Sequence, residues 1–138
     1  RATCARIWAS MEFSTHYPPF TQKTVIALTN TERARILSVD GRDVEEIDTV
    51  TIDIPENNDF DKHKASQLTA LGKKLSKKLD ILLSTGGFAT AILCVPEVNR
   101  EQLQSAMDPT VIAQCSSIVP KNLCAMELGT VMRILLEG

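Results

Sequence analysis

The chain has 138 residues, 43% hydrophobic and 23% charged, with a formal net charge of −2. It is long enough to bury a core as one domain and too apolar for a disordered chain. The near-neutral balance excludes a general attraction to nucleic acid or to an anionic membrane, so any such contact needs a local basic patch.

Residues 1–10, RATCARIWAS, are basic but lack the apolar run of a signal peptide. They read as an extension upstream of Met11, with a basic targeting presequence as the alternative. Residues 11–22 contain Pro18-Pro19 and show no period. Residues 1–22 are therefore expected to form an irregular N-terminal extension, and residues 23–138 a single α/β domain.

KTVIALTN (Lys23–Asn30) and RARILSVD (Arg33–Asp40) read as two apolar strands. Asp40-Gly41 supplies turn chemistry, because glycine takes positive φ without a Cβ penalty. In VEEIDTVTIDI (Val44–Ile54), Val50, Ile52 and Ile54 alternate with polar residues, which marks a third strand with one wet face. Ile47 is out of step with Val50 and predicts a bulge near Asp48-Thr49. PENNDFDKHK (Pro55–Lys64) is a polar loop of turn residues. Leu68, Leu71, Leu75, Leu79 and Leu82 then recur at helical spacing, so a helix is expected from about Lys64 to Leu83.

Gly86-Gly87 follows the last periodic leucine and precedes ATAILCV (Ala89–Val95), a buried strand. A phosphate loop needs strand, glycines, helix, with the helix N-terminus aimed at the anion. Here the order is helix, glycines, strand, which assigns the pair to a helix end. Residues 96–107 predict a short helix with Val98, Leu103, Ala106 and Met107 inward, stopped by Asp108-Pro109. Thr110–Val119 reads as a last strand, and Leu123–Glu137 as a closing helix capped by Asn122. The order β-β-β-α-β-α-β-α points to an α/β fold of ribonuclease H-like type. Its mixed five-stranded sheet would join a three-strand antiparallel meander to two parallel strands, with helices packed on it.

The chemistry-bearing residues are sparse. Cys4, Cys94, Cys115 and Cys124 form no C-x-x-C pair, and His16 and His63 lie far from them. Neither a zinc site nor a disulfide framework is expected. The strands TVIALTN and ATAILCV carry no acid for the metal of a ribonuclease H-like nuclease. Asp40, Asp43 and Asp48 fit a solvated hairpin, and Asp53, Glu56, Asp59 and Asp61 lie near the loop. No metal, cofactor or catalytic residue is assigned. His63, with Asp61 and Ser66 beside it in sequence, is read as an exposed residue at a helix start; neighbours on a loop do not make a triad. No apolar run reaches the ~20 residues that span a bilayer, and no membrane partner is expected. The basic surface comprises Lys62, His63, Lys64, Lys73, Lys74, Lys77 and Lys78. It admits two readings, an RNA- or ribosome-contacting face or a solvated helix face.

The run TVIALTNTERARILSVDGRDVEEIDTV, with Glu32-Arg33-Ala34-Arg35-Ile36 after the first turn and an acidic third strand, resembles the opening of the host attachment protein family. That family groups bacterial relatives of the archaeal-eukaryotic peptide-release factors. The long helix, the strand AILCVP and the short helix fit as well, and the resemblance spans about Thr24 to Leu136. It implies the ribonuclease H-like fold of the release-factor middle domain and a cytoplasmic, translation-associated role. In that domain the loop before the first helix carries Gly-Gly-Gln, whose glutamine promotes ester hydrolysis. The matching segment here, PENNDFDKHKAS, has none. The expectation is a non-catalytic module that binds the ribosome or RNA. The alternatives are a protein-interaction domain using an exposed apolar or sheet edge, and an atypical hydrolase or nuclease using His63 and the loop acids.

Overall fold

Continuous apolar runs, Val25–Leu28 in one segment and Ile36-Leu37 in the next, require a sheet that is covered on both faces. The computed structural model describes residues 10–13, 15–30, 33–52 and 60–137, and for 10, 11 and 60–66 the backbone course only. Among the described residues there are six strands: β1 (Ser10–Glu12), β2 (Phe20–Thr29), β3 (Arg33–Gly41), β4 (Asp43–Thr51), β5 (Thr90–Cys94) and β6 (Cys115–Val119). They lie in the order β1-β4-β3-β2-β5-β6. β2, β3 and β4 form the antiparallel meander, and β5 and β6 extend it in parallel. The helices are α1 (Phe60–Thr85), α2 (Glu97–Ala106), α3 (Pro109–Gln114) and α4 (Leu128–Glu137). The mixed α/β sheet with covering helices is the one the hydrophobic pattern predicts.

Two apolar clusters divide the core. On one face Val25, Ala27, Ile36, Ala91 and Leu93 of the sheet pack against Leu68, Leu71, Leu75 and Leu79 of α1, Leu103 of α2 and Val111 of α3. On the other face Ile26, Leu28, Leu37, Val39 and Val44 pack against Phe13, Leu123 and the α4 residues Leu128, Val131 and Met132. The leucine period of α1 is thus a true core stripe.

Two glycines hold the turns predicted for them. Gly41, between β3 and β4, has φ +64°, and Gly87, just past α1, has φ +83°. The Gly86 N–H donates to the Leu82 carbonyl at 3.0 Å, closing the last turn of α1. The β4 bulge is also present. Ile36 pairs with Asp48 and Leu37 with Glu46, so Ile47 is the extra residue. It brings Ile47 and Val50 onto the same cluster and so accounts for their broken alternation.

Several expectations are corrected. The segment before Lys23 is not wholly irregular. Ser10–Glu12 pairs with β4 as a sixth strand, Phe13 is buried, and β2 begins at Phe20. The polar loop is shorter than predicted, because residues 60–64 already belong to α1; residues 53–59 lie outside the described residues. Residues 109–114 form α3 rather than strand. Asp108 caps it by accepting from the Thr110 N–H at 2.9 Å, and Pro109 occupies the first turn, where its missing N–H is harmless. Asp-Pro therefore starts a helix as well as ending one. Val98 is 89% exposed, and Asn99 takes the inward place at 5%. The inward row is Asn99 and Leu103 of α2, spaced by four, continued by Met107 just past the helix end. Asn122 does not cap α4, which starts only at Leu128. The turn before α4 is held by Arg35, which donates to the Cys124 and Met126 carbonyls at 2.7 and 2.6 Å.

α1 and α2 cross at Gly72. A Cβ there would lie 2.7 Å from the Ala106 Cβ and 3.1 Å from the Leu103 carbonyl oxygen. Neither obstacle can rotate away. Gly72→Ala should therefore lose about 1–3 kcal/mol to overpacking, more than the ~1 kcal/mol helix propensity returns. A Tm lowered by a few degrees is expected, while Gly129→Ala, with nothing within 4 Å, should leave Tm equal or higher.

Candidate functional site

α1 carries four lysines in its middle, and its buried leucine stripe decides where each one points. Leu71, Leu75 and Leu79 face the sheet, so Lys74 and Lys78 fall on the flank toward β4, and Lys73 and Lys77 on the opposite flank toward α2 and α3. The sequence grouped these lysines as one surface, whereas the fold separates them into two pairs.

The β4 flank is structural. Lys74 Nζ donates to the Thr51 carbonyl at 2.8 Å. Lys78 Nζ is paired with the Asp48 carboxylate. Partial burial raises the Asp48 carboxyl, but the bond from Lys78, the Thr49 backbone N–H and the Lys78 charge outweigh it. The group ends below its ordinary value. Asp48 is thus a partner of α1 and not a hairpin acid.

The other flank opens on a groove of about 410 Å³ lined by Lys73, Ser76, Lys77 and Asp80 of α1 and by Ala106, Met107 and Asp108. Ser76 is buried, and its hydroxyl accepts from the Asp108 N–H at 2.8 Å, which fixes the α2–α3 junction against α1. The Asp108 carboxylate accepts from the Thr110 N–H and the Thr110 hydroxyl, and these two bonds hold it below its ordinary value. Among the described residues, no hydrogen bond or ion pair engages Lys73 or Lys77. The rim therefore displays two ammonium groups and the carboxylates of Asp80 and Asp108. None of Ser76, Asp80 and Asp108 was placed in a site by sequence reasoning, which used Asp108 only as a helix stop. For the first two the signal was present, since both share the helical row of Lys73 and Lys77.

Lys62, His63 and Lys64 lie in the first turns of α1, with side chains outside the described residues. At 1.5 Å per residue, Lys64 is about 13 Å along the helix axis from Lys73. Asp53, Glu56 and Asp59, and the side chains of Asp61 and Ser66, are outside the description too.

Among the described residues, no group of three His, Cys, Asp or Glu side chains is placed to hold a metal ion. Cys94, Cys115 and Cys124 are free thiols; burial pushes Cys94 up to about 12 and raises Cys115 as well, so both stay protonated at neutral pH. Cys4 lies outside the described residues. No helix among the described residues is long and apolar enough to cross a membrane.

The depressed Asp48 carboxyl has a sign. A group lowered in the folded state contributes stability above its unfolded value and loses it as pH falls through the folded value. Asp48→Asn should therefore unfold at lower urea than the parent at neutral pH. The gap between the two midpoints should close as pH falls through and below the carboxylate range. Urea titrations across that range check this; a gap that stays constant would show that the Lys78 pairing is not its source.

No protein-family model matches the chain, and no curated protein matches it significantly.

Proposed function

We propose that the chain is a non-catalytic, translation-associated binding module that contacts structured RNA, such as that of the ribosome, through the groove beside α1. The observation that carries this reading is the split of the lysines. Lys74 and Lys78 are engaged by β4, whereas Lys73 and Lys77 stand one turn apart at an open groove with no partner among the described residues.

Ammonium groups act as point charges for phosphate, and carboxylates accept from ribose hydroxyls and base amino groups. A rim with both kinds of group fits a partner that offers phosphate and hydroxyl together. Asp80 and Asp108 offset the two lysines, so the groove does not gather polyanions in general. The contact is local and selects a shaped surface. Among the described residues the groove lining includes no aromatic ring, so the proposed contact does not call on base stacking.

Two further points support the reading. The resemblance to host attachment proteins links the chain to translation and to the cytoplasm. The order β4-β3-β2-β5-β6 suits the ribonuclease H-like type within the α/β class.

Co-sedimentation of the chain with ribosomes at low and high salt tests the proposal. Association should be present at low salt and fall as salt rises, by roughly one to two log units per tenfold in salt for two phosphate contacts, because such contacts release counterions. Lys73→Glu with Lys77→Glu should weaken it at least tenfold, while Arg100→Ala, on the exposed face of α2, should leave it unchanged. Retained association of the double variant overturns the site. Absence of ribosome and RNA association in the parent at low salt overturns the function.

A further inference from the structure

The sheet ends at β6, which among the described residues pairs with β5 alone. Natural sheet edges are guarded by charge, proline or bulges, because their outward N–H and C=O groups template another strand. The guard here is slight. Every residue from Pro109 to Pro120 is uncharged. One bulge, at Ser116, opens the strand, since Ala91 pairs with Cys115 and Ile92 with Ser117. Ser117 to Val119 then run regularly until Pro120. Beside them lies a groove of about 300 Å³ lined by Ser117, Val119, Lys121, Ile134 and Leu135, joining the edge to α4. Ile134, Leu135 and Val119 are only half-buried.

We propose that this edge pairs with the β6 edge of a second copy of the chain, in an antiparallel two-fold dimer that continues the sheet across both molecules. One feature of the edge permits a second copy and another selects it over an unrelated strand. A neutral strand meets its own symmetry mate without like-charge repulsion. The charges at its two ends are also complementary. Lys121 sits at the C-terminal end of the edge, and Leu136, next to Glu137, adjoins Ser116 at the other end. An antiparallel two-fold sets each Lys121 beside the partner's α4 terminus, where the Glu137 carboxylate also accepts from the Tyr17 hydroxyl. The pairing covers Ile134 and Leu135 of both copies. With only three regular residues in each strand, the dimer is of moderate affinity and dissociates on dilution.

Sedimentation velocity over a concentration series reads this directly. The parent chain should shift from the 15.2 kDa monomer toward twice that mass as concentration rises. Ser117→Lys, at an exposed site near the two-fold, should keep it monomeric. Lys121→Glu and Glu137→Lys should each weaken the dimer at least tenfold, and the two together should restore it. Circular dichroism spectra matching the parent's separate lost pairing from lost folding. A parent that is monomeric at all concentrations overturns the proposal. So does a dimer indifferent to Ser117→Lys, or a monomer whose edge instead captures an added strand peptide. The outcome is independent of the ribosome assay, whose variants lie on α1.

Discussion

The structure depends on one strand being buried from both sides. Val25, Ile26, Ala27 and Leu28 of β2 each have 0% exposure, so two side chains point into each face of the sheet. Burying a large aliphatic side chain contributes about 1.5–3 kcal/mol, and neither pair is covered unless helices lie on both faces. This requirement places α1, α2 and α3 on one side and α4 with Phe13 on the other. The parallel neighbour β5 shares the requirement, with Ala91 and Leu93 on one cluster and Cys94 on the other.

Polar contacts then fix what the apolar layers leave free. The Thr29 hydroxyl donates to the Cys94 carbonyl at 2.9 Å and ties the ends of β2 and β5. Arg35 is 12% exposed and Glu46 14%, and the guanidinium joins that carboxylate at 2.8 Å and the carbonyls before α4. Its fork geometry serves three acceptors at once, which offsets the desolvation of a nearly buried pair. On the opposite face Lys74 and Lys78 hold α1 to β4, and Ser76 holds it to the α2–α3 junction. α1 is thus braced along both flanks, and its rotation about its own axis is settled.

That rotation is what gives the lysines different work. Residues one apart on a helix are separated by 100°, so 73 and 77 share a row and 74 and 78 share the next. One row meets a strand with a carbonyl and a carboxylate waiting; the other meets a groove. The contrast is between basic residues that hold the fold together and basic residues that face an open groove, and it arises within a single short stretch of the helix.

The sequence by itself determined whatever depends on local period and turn chemistry. The apolar runs of β2 and β3, the alternation in β4, the leucine row of α1, positive φ at Gly41 and Gly87, and the misplaced Ile47 were all legible, because each follows from backbone geometry within a few residues. Tertiary structure alone decided the rest. Ser10–Glu12 is a strand only because β4 offers an unpaired edge, and three residues carry no period of their own. Residues 110–114 are a mixed case: they have the apolar, β-branched look of a strand, the Asp108-Pro109 helix start is local, and the docking of that junction on Ser76 is tertiary. α4 starts late, and the turn before it is held by Arg35, 89 residues from Cys124 in sequence, which donates to the Cys124 and Met126 carbonyls. The candidate groove is of this second kind, since Asp108 reaches the lysines of α1 only after 32 residues of chain have folded back across Ser76.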